Sequence, residues 1–168
     1  VLLLGAWALA AADRPVKAGG KTKIRIGTFD SRAVAVAYVR SDIHQRYLKG
    51  LMAERDKAQK AGNTKRVKEL EAKGKAMQQR VHRQGFGHAR IDDILEHLRK
   101  EIPGIARKAG VDVVAEETLY HDSSVEIVDI TDFMIEPFNP SKKTRNIIKD
   151  LLKHPPLKDE QLEKLHDH

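Results

Sequence analysis

Cysteine is absent from the 168-residue chain, which excludes disulfides and thiolate metal sites and is compatible with an exported protein. Aromatic residues are scarce at 5%, and 40% hydrophobic with 33% charged residues suits long solvated helices better than one large round core. A small core helped by oligomerisation is therefore expected. No Gly-rich phosphate loop and no HExxH motif occurs, and Asp30-Ser31 reads as a helix cap rather than as a catalytic pair. The chain is not expected to be an enzyme, and it calls for no cofactor. No apolar run is long enough for a transmembrane span.

The longest apolar run has another meaning. Val1, Leu2, Leu3, Leu4, Gly5, Ala6, Trp7, Ala8 and Leu9 are followed by Ala10-Ala11-Ala12 and Asp13. That is an h-region ending in small residues at −3 and −1, so residues 1–12 read as the remnant of a secretory signal peptide. A periplasmic or otherwise exported protein is expected. Residues 13–22, with Pro15, Gly19 and Gly20, follow as a polar linker.

Charge is divided along the chain. Residues 111–138 hold eight acids (Asp112, Glu116, Glu117, Asp122, Glu126, Asp129, Asp132, Glu136) and no Lys or Arg. Residues 44–83 hold twelve basic residues against four acidic ones, a net of +8 that exceeds the +7 of the whole chain. An acidic body with a basic projection is the physical fact to explain.

Hydrophobic patterning supplies the elements. Ile24 and Ile26 mark a strand at 23–28. Val111, Val113 and Val114, then Thr118, Leu119 and Tyr120, then Val125, Ile127, Val128 and Ile130 read as further strand pieces, with Asp122, Ser123 and Ser124 as turn residues. A two-stranded ribbon is marginal, so strand 23–28 is the expected partner, by a parallel or a long antiparallel connection. Thr131 is the expected N-cap of the next helix.

Between the strands lies a helix from about residue 32 to 61, with Val36, Val39, Ile43, Tyr47 and Leu51 on one stripe. Gly62-Asn63-Thr64 stops and restarts it. The return helix carries Val67, Leu70, Gly74, Met77 and Val81 at heptad steps, Gly74 inviting close backbone approach. Thirty residues reach roughly 45 Å. Gln84-Gly85-Phe86-Gly87 marks a break with Phe86 as a packed anchor, and Ile91, Ile94, Leu95, Leu98, Ile102, Ile105 and Ala109 form a body helix that Pro103-Gly104 kinks or restarts.

The fold class expected is α+β: a small β-sheet body with a projecting antiparallel helical hairpin, a coiled-coil arm. The body domain spans residues 23–138, with strands at 23–28 and within 111–131, the arm at about 40–84 and the body helix at 88–109. A helical C-terminal tail occupies 139–168. His88, Asp92, Asp93, Glu96 and His97 offer i, i+4 pairs of metal-ligating type, but acids in a first helical turn are ordinary dipole complements, so no metal site is assigned.

The layout of strand, helical hairpin, strand pair and helix, with KIRIGTFDSRAV at residues 23–34 and AGVDVVAEETLYHDSSVEIVDIT at 109–131, resembles the Skp/OmpH-type periplasmic chaperones. The resemblance covers roughly residues 23–135. It implies a homotrimer whose strands build a central body and whose arms enclose unfolded outer-membrane proteins. Ile24, Ile26, Val113, Val114, Tyr120, Ile127 and Ile130 would form that body. The chain departs from the family pattern in its short arm, in the Gln84-Gly85-Phe86-Gly87 break and in the segment after Pro137, which implies a smaller or differently shaped cavity.

The expected function is a holdase: a protein that keeps unfolded outer-membrane or envelope proteins from aggregating. Arg46, Tyr47, Lys49, Met52, Lys57, Lys60, Lys65, Arg66, Lys68 and Lys73 are the candidate client-binding residues. Basic arms attract acidic chains and anionic membrane surfaces, while Tyr47, Leu51, Met52 and Met77 serve either as adaptable client contacts or simply as the seam between the two helices. Nucleic acid is not an expected partner, because the basic segment lacks the series of interleaved aromatics that base stacking uses. The alternative is an oligomeric envelope scaffold that binds one folded partner, again without catalysis.

Overall fold

The computed structural model describes residues 23–164. The signal-peptide and linker expectations for residues 1–22, and Leu165 in the tail, lie outside the described residues. Among the described residues the fold is α+β in the loose sense, eight helices around one small parallel sheet. None of these helices is long and apolar enough to cross a membrane.

The strands β1 (Ile24–Thr28), β2 (Val113–Ala115) and β3 (Val125–Asp129) are ordered β2-β1-β3, and both outer strands run parallel to β1. This corrects the expected ribbon: β2 and β3 do not pair with each other, because β1 lies between them. It also corrects the strand expected at Thr118, Leu119 and Tyr120. That stretch is loop, with Leu119 93% and Tyr120 82% exposed. The β-propensity of a segment is realised only against a neighbouring strand, and none lies beside this one. The turn residues act as expected, Asp122 Oδ1 accepting from the Ser124 N–H at 2.8 Å.

Registration fixes which side chains share a face. Ile26 stands opposite Val113 on one side and Ile127 on the other; Gly27 stands opposite Val114 and Val128. Side chains alternate along a strand, so Gly27, Val114 and Val128 share the inner face, where the body core packs. A Cβ at Gly27 would meet Ile130 Cδ1 at 2.8 Å and Val111 Cγ2 at 3.1 Å, so the core comes up to the β1 backbone itself.

Asp30 caps α1 (Ser31–Val39) by accepting from the Arg32 N–H at 2.9 Å. The single helix expected from 32 to 61 is in fact two: α1 ends at Arg40, and Ser41 caps α2 (Asp42–Lys60). The Ser41 hydroxyl donates to the Tyr38 carbonyl at 2.6 Å, closing the turn between them. The turn at residues 61–63 then leads into α3 (Thr64–Phe86), with Gly62 at φ 69 and Asn63 as N-cap. At about 1.5 Å per residue, the 19 residues of α2 and 23 of α3 give roughly 28 and 34 Å, shorter than the reach expected from one unbroken helix.

The body helix is also two pieces, α4 (Asp92–Leu98) and α5 (Ile102–Ala109), Pro103 sitting in the first turn of the second as its missing N–H allows. Gly110 closes α5 in the left-handed region at φ 66, with Val111 N–H on the Ala106 carbonyl at 3.0 Å. Beyond β3, Thr131 opens α6 (Thr131–Ile135) but is not its side-chain cap. Its N–H donates to Asp129 Oδ1 at 2.8 Å, and its hydroxyl accepts from the Asp30 N–H at 3.0 Å, tying two strand ends together. A 3-10 turn (Glu136–Phe138) leads to α7 (Lys142–Leu151) and α8 (Asp159–Lys164). Ile91, Ile94, Leu98, Ile130, Met134 and Ile135 are the heart of the core, each at most 1% exposed.

Candidate functional site

The two long helices form a unit with its own interior. Along the seam the buried or half-buried positions are His44, Leu48, Leu51, Arg55 and Ala58 in α2 and Val67, Leu70, Gly74, Met77 and Val81 in α3; Ile43 in α2 and His82, Gln84 and Gly85 in α3 are also buried or half-buried, at the root. Both series step by 3 and 4, the spacing of a helix–helix seam. Leu51, Ala58 and Leu70, with Val67 and Met77 against them, make a cluster separate from the body core. Glu54 accepts from Arg66 Nη2 at 3.0 Å, across the seam near the turn. α2 packs mainly on α3, but α3 packs about as extensively on α1, at the root of the hairpin, as it does on α2, and it also meets α8.

This seam divides the expected client contacts. Leu51 and Met77 belong to the seam, whereas Tyr47 and Met52 stay 46% and 51% exposed. Arg46, Lys49, Lys57, Lys60, Lys65, Lys68 and Lys73 are exposed, and Lys73 Nζ sits 5.6 Å from the centre of the Tyr47 ring. Arg66 is exposed but committed, paired with both Glu54 and Glu69. Its guanidinium holds the hairpin as much as it offers charge.

The outer face of the sheet is the second surface. Ile24, Ile26, Val113, Val125 and Ile127 share it by register. None of them packs in the body core; Ile24 is 52% and Val113 46% exposed. Parallel sheets are ordinarily covered on both faces, so an apolar outer face is an unfinished one. Of the expected body residues, Ile24, Ile26, Val113 and Ile127 lie here. Val114 and Ile130 face the interior instead, and Tyr120 stands in the exposed loop.

A cleft of about 700 Å³ lies at the carboxyl ends of the three strands, lined by Asp30, His88, Glu116, Glu117, His121 and Asp129 among others. Its strongest groups are already engaged. Arg32, 6% exposed, pairs with Asp30 at 2.7 Å and donates from Nη1 to the His154 carbonyl at 2.9 Å. Burial works to raise the Asp30 pKa, but the Arg32 hydrogen bond and charge outweigh it and hold the carboxyl below its ordinary value. Arg32 was not among the expected functional residues; its burial between α1 and the tail could be found only from coordinates.

The His88–His97 group is dispersed by the fold. Asp92 pairs with Arg90, Glu96 with Arg99, and His97 stacks on Tyr38 at 5.1 Å. Asp93 accepts from Gln84 Nε2 at 2.7 Å, and the same Gln84 nitrogen donates to the Arg90 carbonyl, fastening the end of α3 to the start of α4. Among the described residues no three His, Asp or Glu side chains come together as a metal site. Neither a family model, nor a curated protein, nor a solved structure matches the chain.

Proposed function

We propose that this protein is a non-enzymatic holdase of the Skp/OmpH type, acting in the periplasm or otherwise outside the cytoplasm on unfolded outer-membrane or envelope proteins. The observation that carries this reading is the hairpin: a cationic helix pair with a private seam, distinct from the body core. Holding an unfolded chain needs attraction at range, scattered apolar contact and release, not a reaction centre. Exposed Lys and Arg supply the first, screened beyond about 8 Å at physiological salt, while Tyr47 and Met52 supply the second.

We further propose that the protein acts as a homotrimer, a reading supported by the outer sheet face. Covering Ile24, Ile26, Val113, Val125 and Ile127 by the same face of further copies would finish the sheet and set several hairpins around one axis. The tip of each arm would then present Lys57, Lys60, Lys65 and Lys68 to a client or to an anionic membrane surface.

The test is suppression of aggregation when an unfolded β-barrel protein is diluted from urea into buffer with the purified chain. The variant exchanges Lys57, Lys60, Lys65 and Lys68 for Glu; each exchange changes the charge by two, so segment 44–83 falls from +8 to zero. Client affinity is expected to fall tenfold or more in the variant and to fall with added salt in the wild type, helicity being unchanged. Unaltered holding would remove the arm from the reading. Capture of one folded partner, with indifference to unfolded barrels, would favour the scaffold alternative.

A further inference from the structure

At the root of the hairpin, α1, α3 and α7 enclose a groove of about 260 Å³. Val36 and Val39 form one wall, Val81 and Phe86 the second, and Ile147 and Leu151 the third. Gly85 opens the floor, since a Cβ there would first meet Val36 Cγ2 at 3.6 Å. Phe86, expected as a packed anchor, stays 39% exposed, and Ile147 36%. The volume lies below the roughly 300–1,000 Å³ of small-molecule pockets, so the groove suits one or two large side chains rather than a whole ligand or helix.

The helices that wall the groove carry mostly positive charge, with Arg40 in the lining itself. From Gly74 to its end α3 carries Lys75, Arg80 and Arg83 and no acid. Across the groove α7 carries Lys142, Lys143, Arg145 and Lys149 against Asp150 alone, and Arg40 closes the α1 side. Arg80 faces Asp93 at 3.6 Å, Arg145 pairs with Glu136 and Asp150 with Lys153, which leaves Lys75, Arg83, Lys142, Lys143 and Lys149 as surplus positive charge on the helices that wall the apolar seat.

We propose that this groove is where the protein seats an aromatic or large aliphatic side chain of an unfolded client, in a segment flanked by acidic residues. The inference rests on the holdase reading and adds to it a place and a sequence preference. The same helix, α3, carries both the cationic arm and one groove wall, so a chain drawn to the arm by charge reaches the seat without leaving the helix. The apolar walls favour the ring, the cationic surround favours its acidic neighbours, and each contact alone is weak enough to release.

The experiment measures anisotropy of three fluorescein-labelled peptides with the full chain. The first holds two Phe flanked by Asp and Glu, the second replaces Phe with Ser, and the third replaces the acids with Lys. The first is expected to bind at least tenfold more tightly than either of the others. Phe86→Ser and Ile147→Ser, on different helices and both at the surface, are each expected to lower that affinity to the level of the Phe-free peptide. Leu119→Ser, equally apolar but on the loop after β2, is expected to leave it unchanged.

Undiminished binding by both groove variants would overturn the assignment. So would binding of the first peptide that appears only after deletion of residues 1–22, which would give the groove to the chain's own apolar run. Dissociation of an oligomer by Phe86→Ser would likewise give it to a second copy. If the four-lysine exchange abolishes holding of the unfolded barrel while the groove variants bind peptide normally, the holdase reading stands and the groove proposal falls. If neither set of changes has an effect, both fall.

Discussion

The body and the hairpin are built from the same helical vocabulary, but their stability has different sources. In the body, Ile94, Leu98, Ile130 and Met134 are wholly buried in one cluster that draws side chains from sheet, helices and tail. In the hairpin, Leu51, Ala58 and Leu70 meet only along one seam, and most other positions face water. Burial of a large aliphatic side chain is worth about 1.5–3 kcal/mol, so the body holds many such contributions and the hairpin a few. A helix pair with so thin an interior is a part that opens at low free energy, the region from which binding segments are drawn.

The largest expected effect tests that contrast directly. Ile94→Ala should cost about 3–5 kcal/mol, because a cavity at a site without solvent contact collapses poorly. It should lower the urea midpoint of the whole molecule. Leu70→Ala should cost about 2–3 kcal/mol, the low end of the range for a buried leucine, and act locally, since water can enter the seam. Amide exchange followed by mass spectrometry should then quicken in residues 48–80 while residues 91–135 keep their protection. Equal loss of protection in both regions would mean that the hairpin has no independent opening, and the contrast would be wrong.

That contrast was partly legible in the residues. The seam of α3 follows from Val67, Leu70, Met77 and Val81, because helical periodicity is a local property, and the 61–63 turn follows from Gly62 and Asn63 for the same reason. The break between α1 and α2 was hidden, since Val36, Val39 and Ile43 keep helical spacing straight through it. The signal that could have found it is Ser41-Asp42, a cap with an acid in the first turn. Strand order was not legible at all. Which of two valine-rich segments lies beside Ile26 is decided by contacts about ninety residues apart by sequence numbering, and local propensity carries no information on them. The packing of the tail is of this kind too: Leu162 Cδ1 lies 2.7 Å from where a Gly87 Cβ would stand, a contact made 75 residues later, as numbered.

A smaller effect sharpens the boundary between the two regions. His44 lies at the joint, 5% exposed, its ring edge-on to Tyr38 at 5.3 Å. Burial holds its pKa below the ordinary value, so the folded joint prefers the neutral ring. The unfolded chain binds the proton more readily, and this contribution is therefore complete above about pH 6.5 and is lost as pH falls through that value toward the lower folded pKa. The slope for one proton is at most about 1.4 kcal/mol per pH unit. His44→Phe should flatten the acid limb of the stability profile between pH 7 and 5, read from urea midpoints at each pH. Coincident profiles for the two proteins would show that the joint is not where protons enter.

The smallest expected effect concerns Gly74, in the middle of the seam. Heptad position suggested that a glycine there brings the two backbones close, yet the nearest atom to an added Cβ is Leu51 Cδ2 at 3.9 Å, an ordinary contact. Nothing in the packing therefore opposes alanine, while glycine in a helix interior costs about 1 kcal/mol in propensity. Gly74→Ala should stabilise the hairpin by roughly 0.5–1 kcal/mol, visible as slower exchange in residues 64–80 and invisible in the body. On the proposed holdase reading, a stiffer arm has less freedom to follow an unfolded chain, so the same variant should suppress aggregation no better than wild type despite its added stability. A destabilised Gly74→Ala hairpin would mean that an added Cβ meets Leu51 at less than 3.9 Å, and that the seam is tighter than the rest of its surface suggests.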